Sequence, residues 1–456
     1  MYTPRPPATF WESNRILIKG ILVAILILVM LIPGVFVSNL VTEREERQEQ
    51  VVNEVSNKWA GRQTIIGPVL MVPYRVFAKS ANSAVTQETK IAYVLPDELH
   101  ITGGIQPAEK KRSLYRVMLY SSDIQLTGKF GQLPLEALQI PPDAVIWNDI
   151  RLVMATGDLK GIQDQVQLNW NGCKQLLDAG IPDNKLLKQG ISVPVAIDAH
   201  GQATFSINMS LRGSNYLYFS PVGKTTEVDI SANWKDPAFD GQYLPVSSDI
   251  TDKGFKAHWK ILPLSRTYPQ YWKDNTQDLA AGAFGVRLIQ AVDGYSKTNR
   301  SVKYAILFIS LTFTFFFFLE ILKKRTVHPV QYILVGIALT IFYTLLLSVS
   351  EYAGFNIAYL VAAMATVSLI GMYAWSIFKS GKTAIGFTCA LSVLYTYIFI
   401  LIQSEDYALL FGSIGLFFII AIIMYYSRKI DWYANSKNAA PAPAPGADED
   451  NAFTDQ

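Results

Sequence analysis

The chain has 456 residues, of which 50% are hydrophobic and 17% charged, with a formal net charge of +3 at neutral pH. So small a charge, without any sustained Lys/Arg run, excludes a nucleic-acid partner. Two cysteines are present, Cys173 and Cys389. Cys389 has the apolar neighbours of a membrane span, so the two are not expected to pair and no disulfide is expected to hold the fold.

The first element is an apolar run at Ile16–Ser38, long enough to cross about 30 Å of hydrocarbon, which takes about 20 residues. Pro33-Gly34-Val35-Phe36 offers no small-x-small cleavage site, so a retained anchor is expected rather than a removed signal peptide. The charged, Gln-bearing segment Thr42–Lys58 reads as a helical continuation of that anchor.

Period-two alternation then takes over. Thr204–Leu211 alternates at every position, as a strand with one buried face should. Val228-Ile230-Ala232-Trp234 and Phe255-Ala257-Trp259-Ile261 do the same, and Ile91-Tyr93-Leu95 opens another strand. Gly103-Gly104, Pro141-Pro142, Gly180-Ile181-Pro182-Asp183 and Ser220-Pro221 supply turn chemistry between them. Short helices are expected at Leu133–Leu138 and Lys174–Asp178. The segment 39–303 is thus expected to be a mostly antiparallel β domain, as two packed sheets or two subdomains, long enough to bury its own core.

Five more spans follow, at Tyr304–Leu322, Gln331–Ser350, Phe355–Phe378, Ala384–Ile402 and Tyr407–Tyr426. Trp11, Trp375, Trp432 and Tyr433 sit where interfacial aromatic belts belong. Ala439–Gln456 is Pro/Ala-rich and then acidic, a composition that does not fold. The predicted class is an α+β membrane protein with six transmembrane helices. Its parts are an N-terminal segment 1–15, an anchor 16–38, a β domain 39–303, a five-helix bundle 304–426 and a C-terminal segment 427–456.

The basic residues give the orientation. Arg5, Arg15 and Lys19 precede the anchor; Lys323, Lys324 and Arg325 follow the second span; Lys379 and Lys382 follow the fourth, and Arg428 and Lys429 the sixth. The opposite short loops carry Glu351, Glu405 and Asp406 instead. Every short-loop cation falls on one side, which the positive-inside bias assigns to the cytoplasm. Both termini are therefore expected in the cytoplasm, and the β domain outside it.

A search for catalytic chemistry is nearly empty. His100, His200, His258 and His328 lie far apart with no metal-ligand spacing, and neither Cys-x-x-Cys nor His-Glu-x-x-His occurs. No Gly-x-Ser-x-Gly elbow is present. Gly381-Lys382-Thr383 lacks the earlier glycine of a phosphate loop, where Ser376 stands, and Ser376-Ile377-Phe378-Lys379 has none of the companions of a Ser-x-x-Lys site. No catalytic residue, cofactor or metal is assigned.

Two acids bracket the spans. Glu320 is expected to pair with Lys323 and Lys324 one turn on while reaching out of the membrane. Glu351 closes the Thr344–Ser348 face of the third span, where it reads either as a solvated cap or as a residue gripping the outer domain or a ligand. Thr340, Thr344 and Ser348 share one helix face, Thr388, Ser392 and Thr396 another, and Gly354, Ala358, Ala362 and Thr366 form a small-residue stripe. Such rows are expected as packing seams, with hydroxyls bridging helices at about 1 kcal/mol or less; a substrate groove is the alternative.

Several strings are more particular. Lys303–Ile309 runs into Leu311-Thr312-Phe313; then come His328-Pro329-Val330-Gln331-Tyr332-Ile333-Leu334-Val335-Gly336, Leu345–Glu351, Ala408–Gly412 and Ile430-Asp431-Trp432-Tyr433. The outer segment adds Gly67-Pro68, Gly241-Gln242-Tyr243-Leu244-Pro245 and Gly254-Phe255-Lys256-Ala257-His258-Trp259. Together these resemble the CreD family of bacterial inner-membrane proteins, from about Phe10 to Tyr433. The resemblance implies an envelope protein under two-component control, linked to envelope integrity and to tolerance of colicins and cell-wall stress. It brings no catalytic residue, cofactor or substrate. His328, in this reading, is a helix N-terminal residue positioned by Pro329.

The expected function is therefore non-enzymatic support of the envelope through the outer β domain. The alternatives are a carrier of an amphipathic envelope component and an unrecognised enzyme acting on glycan or lipid. The partners expected are the lipid bilayer and, beyond it, envelope proteins, lipids or glycans. The sequence sets no oligomeric state.

Overall fold

The computed structural model describes residues 15–79, 85–182, 186–198, 201–273, 277–288, 294–323, 325–404 and 407–428. The chain forms two compact units, Met1–Glu45 with Val292–Gln456, and Glu46–Ala291.

Helix α1 (Arg15–Trp59) runs 45 residues, through the expected anchor and on through Thr42–Lys58, with its residues to Glu45 in the first unit and the rest in the second. After the short α2 (Gly294–Lys303) come α3 (Ala305–Leu322), α4 (Pro329–Ala353), α5 (Phe355–Phe378), α6 (Gly381–Gln403) and α7 (Ala408–Ser427). Six of these helices are long and apolar enough to cross a membrane.

Lipid tails are as apolar as leucine, so close packing must hold these helices together. Aromatic rings supply it: Phe308 lies 4.6 Å from Tyr395 and Phe316 lies 5.2 Å from Phe387. These pairs run α3 antiparallel to α6. Of the expected stripe, Ala358, Ala362 and Thr366 are buried in α5, while Gly354, which precedes the helix, is only half-buried. The hydroxyl rows behave otherwise. Thr340 donates to Gly336 O, Thr388 to Ala384 O, Ser392 to Thr388 O and Thr396 to Ser392 O, each one turn back on its own helix. Bridging between helices was expected; the nearer i−4 carbonyl captures these hydroxyls instead.

The second unit contains two large sheets. One joins Ser247–Thr251, Gly254–Ile261, Thr225–Ala232, Glu98–Arg112, Tyr115–Phe130, Ala203–Ser214, Gln167–Trp170 and Cys173–Leu176, in that order. The other is built around the long strand Gln63–Lys79, flanked by Tyr216–Phe219, Arg151–Ala155 and Val85–Val94. Pairing is mostly antiparallel, with parallel exceptions at Gln63–Ile65 against Leu217–Phe219 and at Thr225–Ala232 against Glu98–Ile105. Along Ala203–Ser214 the inward residues Phe205, Ile207, Met209 and Leu211 are buried, as their alternation requires. The sheets share one core, in which Trp259 of the first meets Phe239 and Phe284 of the second, at 5.6 and 5.8 Å between rings.

Neither expected short helix forms. Leu133–Leu138 closes as hydrogen-bonded turns, Leu138 N donating to Pro134 O and Ile140 N to Leu135 O, since so short a run cannot sustain a helix. Cys173–Leu176 is a strand paired with Gln167–Trp170. Between them Asn171 (φ 49°) and Gly172 (φ 88°) form the two-residue left-handed turn that suits a tight hairpin.

Candidate functional site

The membrane unit is organised around two carboxylates. Glu320, near the end of α3, is 5% exposed, and its partners come from elsewhere in the chain. Its Oε1 accepts Val327 N at 3.0 Å and pairs with Lys19 of α1; its Oε2 accepts the Tyr332 hydroxyl at 3.0 Å. Lys19 Nζ also donates to Val327 O at 3.2 Å. The expectation that Glu320 pairs with Lys323 and Lys324 is corrected: burial turns the carboxylate inward, where Lys19, Tyr332 and an orphan backbone N–H satisfy it.

The neighbouring residues serve the same end of α4. His328 caps it: Val330 N donates to His328 Nδ1, and His328 N donates to Gln331 Oε1 at 2.9 Å, closing a capping box with Pro329 at the first turn. The structure therefore gathers His328, Pro329, Gln331 and Tyr332 beside Glu320. Sequence reading missed this node, although an acid inside an apolar run was its signal.

Glu351, at the end of α4, accepts the hydroxyl of Tyr295 of α2 at 3.0 Å and lies 3.9 Å from Arg44 Nε of α1. On the same short helix Lys297 donates to Gln403 Oε1 at 2.9 Å, and Gln403 donates to Asn356 Oδ1. Polar bonds thus tie α2 to the ends of α4 and α6, and through Gln403 to the start of α5. Thr344 and Ser348, on the same face of α4 as Glu351, are exposed. Asp431, Trp432 and Tyr433 lie outside the described residues.

Elsewhere in this unit a 450 Å³ crevice opens between α3, α6 and α7, with walls almost entirely apolar.

In the β unit, the strings Gly241–Pro245 and Gly254–Trp259 come together. Trp259 is fully buried and donates its indole N–H to Tyr243 O at 3.2 Å, while Tyr243 donates its hydroxyl to Ser265 O at 2.6 Å. Two loops are thereby pinned side by side, and they carry aliphatic side chains into solvent. Leu264 is 101% exposed, Leu244 72% and Val246 71%, with Leu262 beside them. Asp240 braces the first loop: it accepts the Tyr218 hydroxyl and Gly241 N, both at 2.8 Å, and pairs with Arg287. The Tyr218 hydrogen bond, ahead of that from Gly241, holds the Asp240 carboxyl below its ordinary range.

His258 stands on the outer face with Nδ1 2.8 Å from Asp229, and in the next row Glu227 joins His100 and Lys260. Glu227 is held below its ordinary pKa chiefly by the Lys260 bond. These are exposed cross-strand pairs of a solvated sheet face. Among the described residues no group of three or more His, Cys, Asp or Glu is arranged to hold a metal.

A family model described as "Inner membrane protein CreD" matches residues 15–433, which takes in both carboxylate nodes and both loops. The chain belongs to the CreD family. The inner membrane protein CreD of Escherichia coli strain K12 is 30% identical over 417 residues, covering 90% of this chain and 92% of that one. With its apolar helices, this CreD family member is a multi-pass inner-membrane protein.

Likeness to solved structures is slight. A candidate nutrient binding protein from Legionella pneumophila gives a TM-score of 0.26 at 6% identity, over 54% of this chain and 80% of that one. An M1 zinc metallopeptidase from Deinococcus radiodurans, solved with a peptide substrate, gives 0.20 at 10% identity, over 37% and 39%. Neither score carries an argument about fold or function.

Proposed function

We propose that this CreD family member is a non-enzymatic protein that supports cell-envelope integrity, and with it tolerance of colicins and envelope stress, by binding an envelope partner through its β unit. The sorting of short-loop Lys and Arg supports cytoplasmic termini and a periplasmic β unit. The observation that carries the binding reading is the pinned pair of loops presenting Leu244, Val246, Leu262 and Leu264. A rigid, exposed aliphatic cluster is unfavourable in water and marks a surface meant to be covered.

In-cell photocrosslinking tests it. A photoreactive amino acid at Leu264 should give an adduct that is lost on Leu244→Ser, while the same group at exposed Thr204 should give none. Equal adducts at both positions, or none at Leu264, would overturn the reading.

A second reading is a carrier of an amphipathic envelope component. The apolar crevice between α3, α6 and α7 favours it.

A further inference from the structure

Helix α7 is unlike the other spans. None of its most apolar stretch is buried. It is attached to α6 through Tyr397, whose hydroxyl donates to Phe411 O at 2.9 Å and whose ring fills the space beside Gly415. Held off in this way, α7 leaves the 450 Å³ crevice between itself, α3 and α6. Leu311, Tyr397 and Gly415 line one end of it, and Phe318, Ala390 and Ile423 the other.

We propose that this crevice is a lipid-binding site that takes one acyl chain of a bilayer phospholipid. Gly415 and Ile423 mark the length of the crevice on α7, about 12 Å at 1.5 Å rise per residue, and its walls are almost entirely apolar, as an extended alkyl chain requires. The medium agrees, because hydrocarbon, not water, faces this surface in a membrane, and an unfilled crevice would forfeit the dispersion contacts of its walls.

The site does not depend on the loop-binding role proposed for the β unit.

The test uses the full chain in vesicles of phosphatidylethanolamine and phosphatidylglycerol, doped with phosphatidylethanolamine bearing a diazirine on one acyl chain. After irradiation, labelling should concentrate on peptides covering 311–318, 390–397 and 415–423, above that on other lipid-facing segments such as those holding Met364 and Met372. Ala390→Trp, or Ile419→Trp if the first variant fails to fold, should cut crevice labelling at least five-fold and leave Met364 and Met372 labelling unchanged. Labelling spread evenly over all lipid-facing helices would overturn the proposal, as would a crevice signal indifferent to the tryptophan. A protein–protein cross-link through these segments would assign the crevice to a second copy and overturn it too.

Discussion

Tyr332 donates its hydroxyl to Glu320 across 3.0 Å, tying the second turn of α4 to the end of α3. Lys19 of α1 completes the arrangement. The most buried acid of the membrane unit is thus the point where three spans are fastened, not a surface charge reaching for water.

Removing one member of such a buried pair strands the other. Glu320→Gln is expected to destabilise the detergent-solubilised protein by about 3 kcal/mol, with Lys19→Met similar. The double variant should cost less than the two single costs together, a coupling of about 1–3 kcal/mol in a thermal-unfolding cycle. Additive costs would remove the pair from any structural role.

At the other carboxylate, Glu351→Leu and Tyr295→Phe break the same bond from opposite sides. Expression and insertion should be normal in both. If the bond positions the segment leading into the β unit, limited proteolysis of that unit should accelerate about equally in the two variants. Unchanged proteolysis would leave Glu351 a solvated cap.

Acid should weaken the brace beneath the exposed loops. The folded-state pKa of Asp240 is depressed, so its contribution is present above the unfolded value near 4 and is lost as pH falls through the folded value. Asp240→Asn should therefore lower the melting temperature at pH 7, and the gap from wild type should close as pH falls from about 5 to about 3. A gap constant with pH would contradict the assignment.

Orientation is open to direct labelling. In a cysteine-free background, an impermeant thiol reagent should mark single cysteines at Asn82 and Ser404 in intact spheroplasts and leave one at Lys382 unmarked. Labelling at Lys382 would break the topology.

Much of this fold is legible in the sequence because its causes are local. Phe205, Ile207, Met209 and Leu211 advertise a buried strand face by period alone, and Phe355–Phe378 advertises a span by length. The Asn171-Gly172 hairpin is equally local, and its turn chemistry outweighs the helix expected from Lys174. Glu320 was not legible in the same way, since its decisive partner stands at the opposite end of the chain and its nearest cations in sequence, Lys323 and Lys324, point to the wrong pair. Leu244 and Leu264 were hidden for a third reason. Alternation tells which side chains enter a core, but not which loop leucines the finished fold leaves uncovered.

The proposed role assigns envelope protection to these uncovered leucines. In cells lacking the chromosomal copy, wild type and the double variant Leu244→Ser/Leu264→Ser should be expressed to equal levels and compared for survival of colicin and cell-wall stress. The double variant should fold with an unchanged melting temperature, because both side chains lie in solvent, and should protect no better than an empty vector. Full protection by the double variant would contradict the account.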